Sequence, residues 1–269
     1  MTARIHSLCL GLLLLFTTGA QGQSPSSIML EDLTWTELKQ QIGAGKTTII
    51  VPIGGTEQNG PYMALGKHNA RVRVLAEKIA RELGNALVAP VIAYVPEGSI
   101  SPPTDHMRFP GTITIPDKTF AGLLEYGARS FKLHGFRDVV FLGDHGGYQR
   151  ELRDVATRLN REWSATPVRA HAIVEYYRVT NTTYVEALKG RGYTADEIGT
   201  HAGVADTSLT LALTPGMVRA DRLAGAPKPT ASDGAYGDPR RSSAEVGQLG
   251  VDIIVAATVA AIKNATIRP

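Results

Sequence analysis

Cysteine is all but missing: the 269 residues contain one, Cys9, and it stands in an N-terminal apolar stretch. From residue 23 onward there is no thiol, which excludes a disulfide framework, a thiolate metal site and a cysteine nucleophile. Aromatic residues are also few, at 6%, and neither sign of charge dominates, the formal net charge being +3. The basic residues are scattered without a dense Lys/Arg tract, so neither nucleic acid nor an anionic membrane surface is expected as a partner. At the N-terminus, Arg4 and His6 precede the apolar block Leu8 to Phe16, and the small-residue tail TTGAQG follows. Those are the three parts of a secretory signal peptide, here Met1 to Gly22. The block is too short to span a bilayer, so cleavage and release are expected, with no membrane attachment afterwards. Export of a chain without cysteine fits a bacterial periplasm.

What is present suits one globular domain over residues 23–269, since 43% hydrophobic and 20% charged residues at this length can bury a single substantial core. Thr34 and Glu37 read as a capping box for a helix over Trp35 to Ile42. Thr48 to Ile53 is apolar and β-branched and reads as a strand, as do Ala86 to Val95, Val139 to Leu142 and Val168 to Val174. Helical periods run through Asn69 to Leu83, Pro116 to His134, Gln149 to Glu162, Thr183 to Lys189, Val204 to Leu213 and Ala244 to Ile262. Long loops are expected over Pro96 to Gly111 and Ala224 to Ser243. Alternating strands and helices predict an α/β fold, a mostly parallel sheet covered on both sides in three α/β/α layers.

The chain is organised around GGTEQNGPYMALGKH, Gly54 to His68, which follows the first strand and puts Glu57 where open sheets hold ligands. His68 lies eleven residues on, and GDHGG supplies His145 after another apolar strand. One carboxylate and two imidazoles suit a divalent ion such as zinc, manganese or iron, with a position left open for water. Asp144 can either orient His145 or cap the next helix. His171, in an apolar strand, reads as a satisfied core histidine, and His134 as a helix-ending one.

These motifs, with the later FPGT, HAGVADTS and GDP, fall in the order found in the creatininase family of metal-dependent amidohydrolases, which the chain resembles from about Leu30 to Lys263. The resemblance implies a creatininase-like fold, hydrolysis of C–N bonds in cyclic amides and related small molecules by metal-activated water, and homo-oligomers, often hexamers. It makes His201 a substrate-contacting or proton-transferring histidine. It also makes Asp206, where the family has Glu, a ligand or general base, beside Glu57 in the catalytic set. His106 matches a position near the cleft and, with Asn59 and Tyr148, is expected to line the substrate pocket.

Two departures bear on the metal. The family's first loop reads Glu, any residue, His, with a bridging Asp nine positions later, whereas here the positions hold Glu57, Asn59 and His68. An imidazole offers one lone pair where a carboxylate can bridge, so one ion per chain is expected in place of two. The same site would serve a lactone or ester, and without its ion the chain would be a small-molecule binder.

Overall fold

The computed structural model describes residues 27–267; the expected signal peptide lies outside the described residues. Four strands, β1 (Thr48–Ile53), β2 (Ala86–Val88), β3 (Asp138–Gly143) and β4 (Arg169–Ala172), form one all-parallel sheet in the order β2-β1-β3-β4. Every residue of β1 and β3 is buried, which is why both read as continuous apolar runs rather than alternating ones.

β2 is shorter than the run to Val95 suggests. Pro90 has no N–H to give a ladder, and beyond it the chain keeps only an isolated bridge, Ile92 to Ile53. The chain still follows β1, since the N–H of Ile92 donates to Pro52 O (3.0 Å) and that of Gly54 to Ile92 O (2.9 Å).

Helix α1 (Trp35–Gly43) has the capping box on Thr34 and Glu37. Helix α2 (Lys67–Leu83) starts two residues earlier than its apolar period and stops at Gly84, whose φ of 78° closes the last turn. Then come α3 (Asp117–Leu133), α4 (Gln149–Glu162), α5 (Glu175–Asn181), α6 (Thr183–Lys189), α7 (Ala195–Ile198), α8 (Val204–Leu213), α9 (Ala220–Leu223) and α10 (Ala244–Ala265). The sequence pattern misses α5, because EYYRVTN is rich in aromatic and β-branched residues, and tertiary packing on β3 and α10 overrides that propensity. α3 and α4 pack on each other and on β3, while α2, α5 and α8 gather around α10. These are the outer layers of an α/β/α sandwich. α10 is long and apolar enough to cross a membrane by length and composition, yet it packs on α8, α5 and α2 and buries Val251, Ile254, Val259 and Ile262.

The strand order places the site. The connection after β1 goes to one side and β3 lies on the other, so the crevice opens where β1 and β3 end. Ile53 pairs with Gly143, so the two carboxyl ends are level and the loops carrying Glu57 and His145 face each other.

Candidate metal centre

Glu57 stands at the middle of the crevice, fully buried, on a loop held by its own N–H donating to Leu65 O (3.1 Å). Its carboxylate meets four imidazoles. Oε1 lies 2.7 Å from His68 Nε2 and 3.8 Å from His201 Nδ1, and Oε2 lies 3.2 Å from His106 Nε2 and 3.5 Å from His145 Nε2. Two overlapping donor groups result, Glu57–His68–His145 and Glu57–His106–His201, each with its donor atoms within 4.8 Å of one another. Ligands at zinc distances in a tetrahedron sit about 3.3 Å apart. The Glu57 contacts with His68 and His145, 2.7 and 3.5 Å, bracket that spacing. Glu57 Oε2 and both oxygens of Glu97 are buried and accept no hydrogen bond, a costly arrangement that a cation would relieve. The residues present therefore fit a divalent ion.

Each imidazole of the first group is backed by a buried acid. Asp144 Oδ2 lies 2.7 Å from His68 Nδ1 and accepts from Arg71 Nε (2.8 Å), while Oδ1 accepts from the Tyr176 hydroxyl (2.7 Å). Asp144 thus orients His68, and neither His145 nor the next helix, since its oxygens are taken by His68, Arg71 and Tyr176 and α4 has no side-chain cap. Behind His145 stands Glu97, with Oε2 3.7 Å from Nδ1. Gly55, at φ 149°, makes room for it, as a Cβ there would come within 2.7 Å of Glu97 Oε1.

Three expected site residues are placed differently. Asp206 belongs to neither donor group: Oδ2 accepts from Lys67 Nζ (2.7 Å) and the Ala202 N–H (3.1 Å), and Oδ1 accepts from Arg71 Nη1 (2.9 Å). With both oxygens held by cations, it anchors them at the cavity wall. Asn59 turns its amide into the protein, donating to the carbonyls of Glu57 (2.9 Å) and Ala64 (3.0 Å). Tyr148 is 0% exposed, and its hydroxyl donates to Ile53 O (2.9 Å) or Gly54 O (2.6 Å) while accepting from the His145 N–H. It locks the β1 and β3 loops together, and neither it nor Asn59 lines the cavity at the crevice. His106 and His201 do line it, both against Gln58, whose Nε2 lies 2.9 Å from His106 Nδ1 and whose backbone O lies 3.0 Å from His201 Nε2. His171, outside the site, is satisfied by Asp138 at 2.9 Å, and His134 caps α3.

Burial sets the protonation of these groups. It pulls His145 down to about 4, against the Glu57 charge, and His201 down to about 3, with Lys67 adding to the effect. Both imidazoles are therefore neutral at neutral pH, as a ligand or proton acceptor must be. Burial pushes Glu97 up to about 9, and the neighbouring Glu57 charge adds to it. Glu57 itself, despite burial, is held well below the carboxylate range by His68, and Asp206 likewise by Lys67 and Arg71.

Folded-state values below the ordinary one mean that the contributions of His145 and His201 are present above about 6.5 and lost as pH falls through 4 and 3. Glu97 has the opposite sign, its contribution being lost as pH rises from the ordinary 4.5 through about 9. Chelator-treated protein is expected to melt highest near pH 6.5 and to lose melting temperature towards pH 9, and Glu97→Gln removes the alkaline loss. A melting temperature that rises steadily to pH 9 in chelator contradicts this assignment.

The donors open on a cavity of about 360 Å³, whose far wall is apolar at Phe109, Tyr184, Ile198 and Leu209. The Creatininase family model, described as creatinine amidohydrolase, matches residues 31–262. The chain belongs to the creatininase family. A creatinine amidohydrolase of Pseudomonas putida is 26% identical over 257 residues, 88% of this chain and 97% of that protein. A crystal structure of creatinine amidohydrolase shares the fold with a TM-score of 0.75 at 23% identity, covering 91% of this chain and 100% of its own. Another solved relative, described as creatininase Mn, has a TM-score of 0.71 at 25% identity, covering 90% and 100%.

Within this creatininase-family site, Lys67, Arg71 and Glu97 are the charged residues that the sequence reading passed over. A signal existed for two of them. Lys67 and Arg71 fall at four-residue spacing with Leu75 and Ile79 on the buried face of α2, where a charge requires a partner. Glu97 carried no such signal, lying in a loop among Pro96 and Gly98.

Proposed function

We propose that the chain is a metal-dependent hydrolase of a C–N bond in a small amide or cyclic amide, holding one divalent ion, zinc or manganese, through Glu57, His68 and His145. The observation that carries this reading is the convergence of those three side chains at ligand spacing, from two loops and a helix start, beside orphaned carboxylate oxygens. A bound ion supplies Lewis-acid polarisation of the scissile carbonyl and of water.

The chain's own residues supply the rest. His201 Nε2 lies 3.0 Å from Gln58 O and donates to it, which leaves a bare Nδ1 facing the site. That nitrogen takes a proton from the attacking water as it adds to the carbonyl carbon, then returns it to the leaving nitrogen as the C–N bond breaks. His106 offers a hydrogen bond at the same wall, and the apolar side of the cavity shields a compact substrate from water. Its volume of about 360 Å³ suits a small molecule. Signal-directed export to a periplasm and homo-oligomeric assembly complete the proposal.

Matched lactams and lactones, each with and without added Zn²⁺ or Mn²⁺ after chelation, test it. Turnover of a lactam or cyclic amide that disappears with chelation and returns with the ion is expected. Chelation-resistant turnover, or turnover of lactones alone, overturns it.

A further inference from the structure

Among the cations of the site that need no loading is Lys67. It is the first residue of α2, its side chain is 0% exposed, and the one acceptor within hydrogen-bond distance among the described residues is Asp206 Oδ2 at 2.7 Å. Burying an ammonium costs several kcal/mol unless its charge is used. We propose that Lys67 is a built-in second cation of the site, which restricts loading to the Glu57–His68–His145 group and leaves His106 and His201 free for substrate. The inference rests on the metal-dependent reading above and deepens it.

Charge balance supports this assignment. Three ionised carboxylates surround the crevice, Glu57, Asp144 and Asp206, against two fixed cations, Lys67 and Arg71, while Glu97 keeps its proton beside Glu57. The remainder is one negative charge, which a single divalent ion already outweighs and which a second would overshoot further.

The second donor group is also unsuited to an ion by its hydrogen bonds. Gln58 Oε1 accepts from the Gly60 N–H (2.9 Å), which fixes the amide and points Nε2 at His106 Nδ1 (2.9 Å). Gly234 leaves the room that amide needs, since a Cβ there would come within 2.0 Å of Oε1. His106 Nδ1 is therefore an acceptor and its Nε2 carries the proton, 3.2 Å from Glu57 Oε2 but without hydrogen-bond geometry to it. A protonated nitrogen has no lone pair for an ion. His145 is held less firmly on that side, by the exposed Gly147 N–H at 3.2 Å from Nδ1, with Glu97 Oε2 3.7 Å away and not hydrogen-bonded.

Metal counting on the full chain decides the matter, by elemental analysis after saturation with Zn²⁺ and desalting, and by calorimetric titration with Mn²⁺. One ion per chain is expected in the wild type. Lys67→Met keeps the length of the side chain and removes its charge, so Mn²⁺ is expected to bind about tenfold tighter, equivalent to one interaction of about 1.4 kcal/mol, or to occupy a second site. Lys67→Arg keeps the wild-type count and affinity. Two ions in the wild type overturn the proposal whether or not Lys67→Met folds. A folded Lys67→Met, verified by circular dichroism, with unchanged or weaker binding also overturns it. In either case the hydrolase reading stands; a wild type that binds no ion sinks that reading itself.

Discussion

Replacing Glu57 by alanine is expected to remove both the ion and the activity while leaving the fold in place. Glu57 is the one residue common to both donor groups, and no other carboxylate can take over. Asp206 is committed to Lys67 and Arg71, Asp144 to His68, Arg71 and Tyr176, and Glu97 stands behind His145, on its Nδ1 side. Losing an outer partner of a metal ligand costs roughly 10–100-fold in affinity or activity, and losing the ligand itself costs more. Glu57→Ala is therefore expected to lower metal affinity by more than about a hundredfold and to bring amide turnover to background. Glu57→Gln keeps the shape but not the charge, and is expected to lose the ion nearly as completely. Metal content by elemental analysis, with melting temperature as the fold control, checks both. A Glu57→Ala protein that keeps its ion contradicts the site.

Arg71 has the largest expected effect on stability. Its guanidinium joins the buried Asp144 to the half-buried Asp206, giving Nε to the first (2.8 Å) and Nη1 to the second (2.9 Å), and it is itself 4% exposed. Burial works against the charged guanidinium, and the Asp144 and Asp206 charges more than restore it, so Arg71 stays ionised throughout the accessible pH range. Removing one partner of a buried ion pair leaves the other uncompensated, at about 3–5 kcal/mol. Arg71→Met is expected to lose that much, roughly a 10 °C fall in melting temperature for a chain of this size. Arg71→Lys restores little, because a single ammonium cannot reach both acids at the angle the planar fork spans. Urea denaturation of the three proteins measures this. A loss below about 1 kcal/mol for Arg71→Met would mean that the network contributes no more than surface pairs do.

The parts that were legible in the sequence are those fixed by local pattern. Thr48–Ile53 is bounded as its β-branched run suggests, and Gln149–Glu162, Thr183–Lys189 and Val204–Leu213 end where their periods end. Glu57, His68 and His145 stood out because they follow apolar strands or a glycine loop in a recognisable order. Lys67, Arg71 and Glu97 did not, because a charged residue read alone is assigned to solvent, and only the tertiary arrangement supplies the acids that let α2 bury two cations. Asn59 and Tyr148 illustrate the reverse. Each is polar, beside a motif and plausible as a substrate contact, yet each spends its hydrogen bonds on loop carbonyls, which no spacing rule reveals.

Anomalous diffraction at the zinc edge, from crystals of the full chain grown with Zn²⁺, locates the ion against Glu57, His68 and His145. The account predicts a single strong peak about 2.0–2.2 Å from His68 Nε2, His145 Nε2 and a Glu57 oxygen, with a fourth position open to the cavity. A peak coordinated by Asp206, or none within bonding distance of those three side chains, would contradict it.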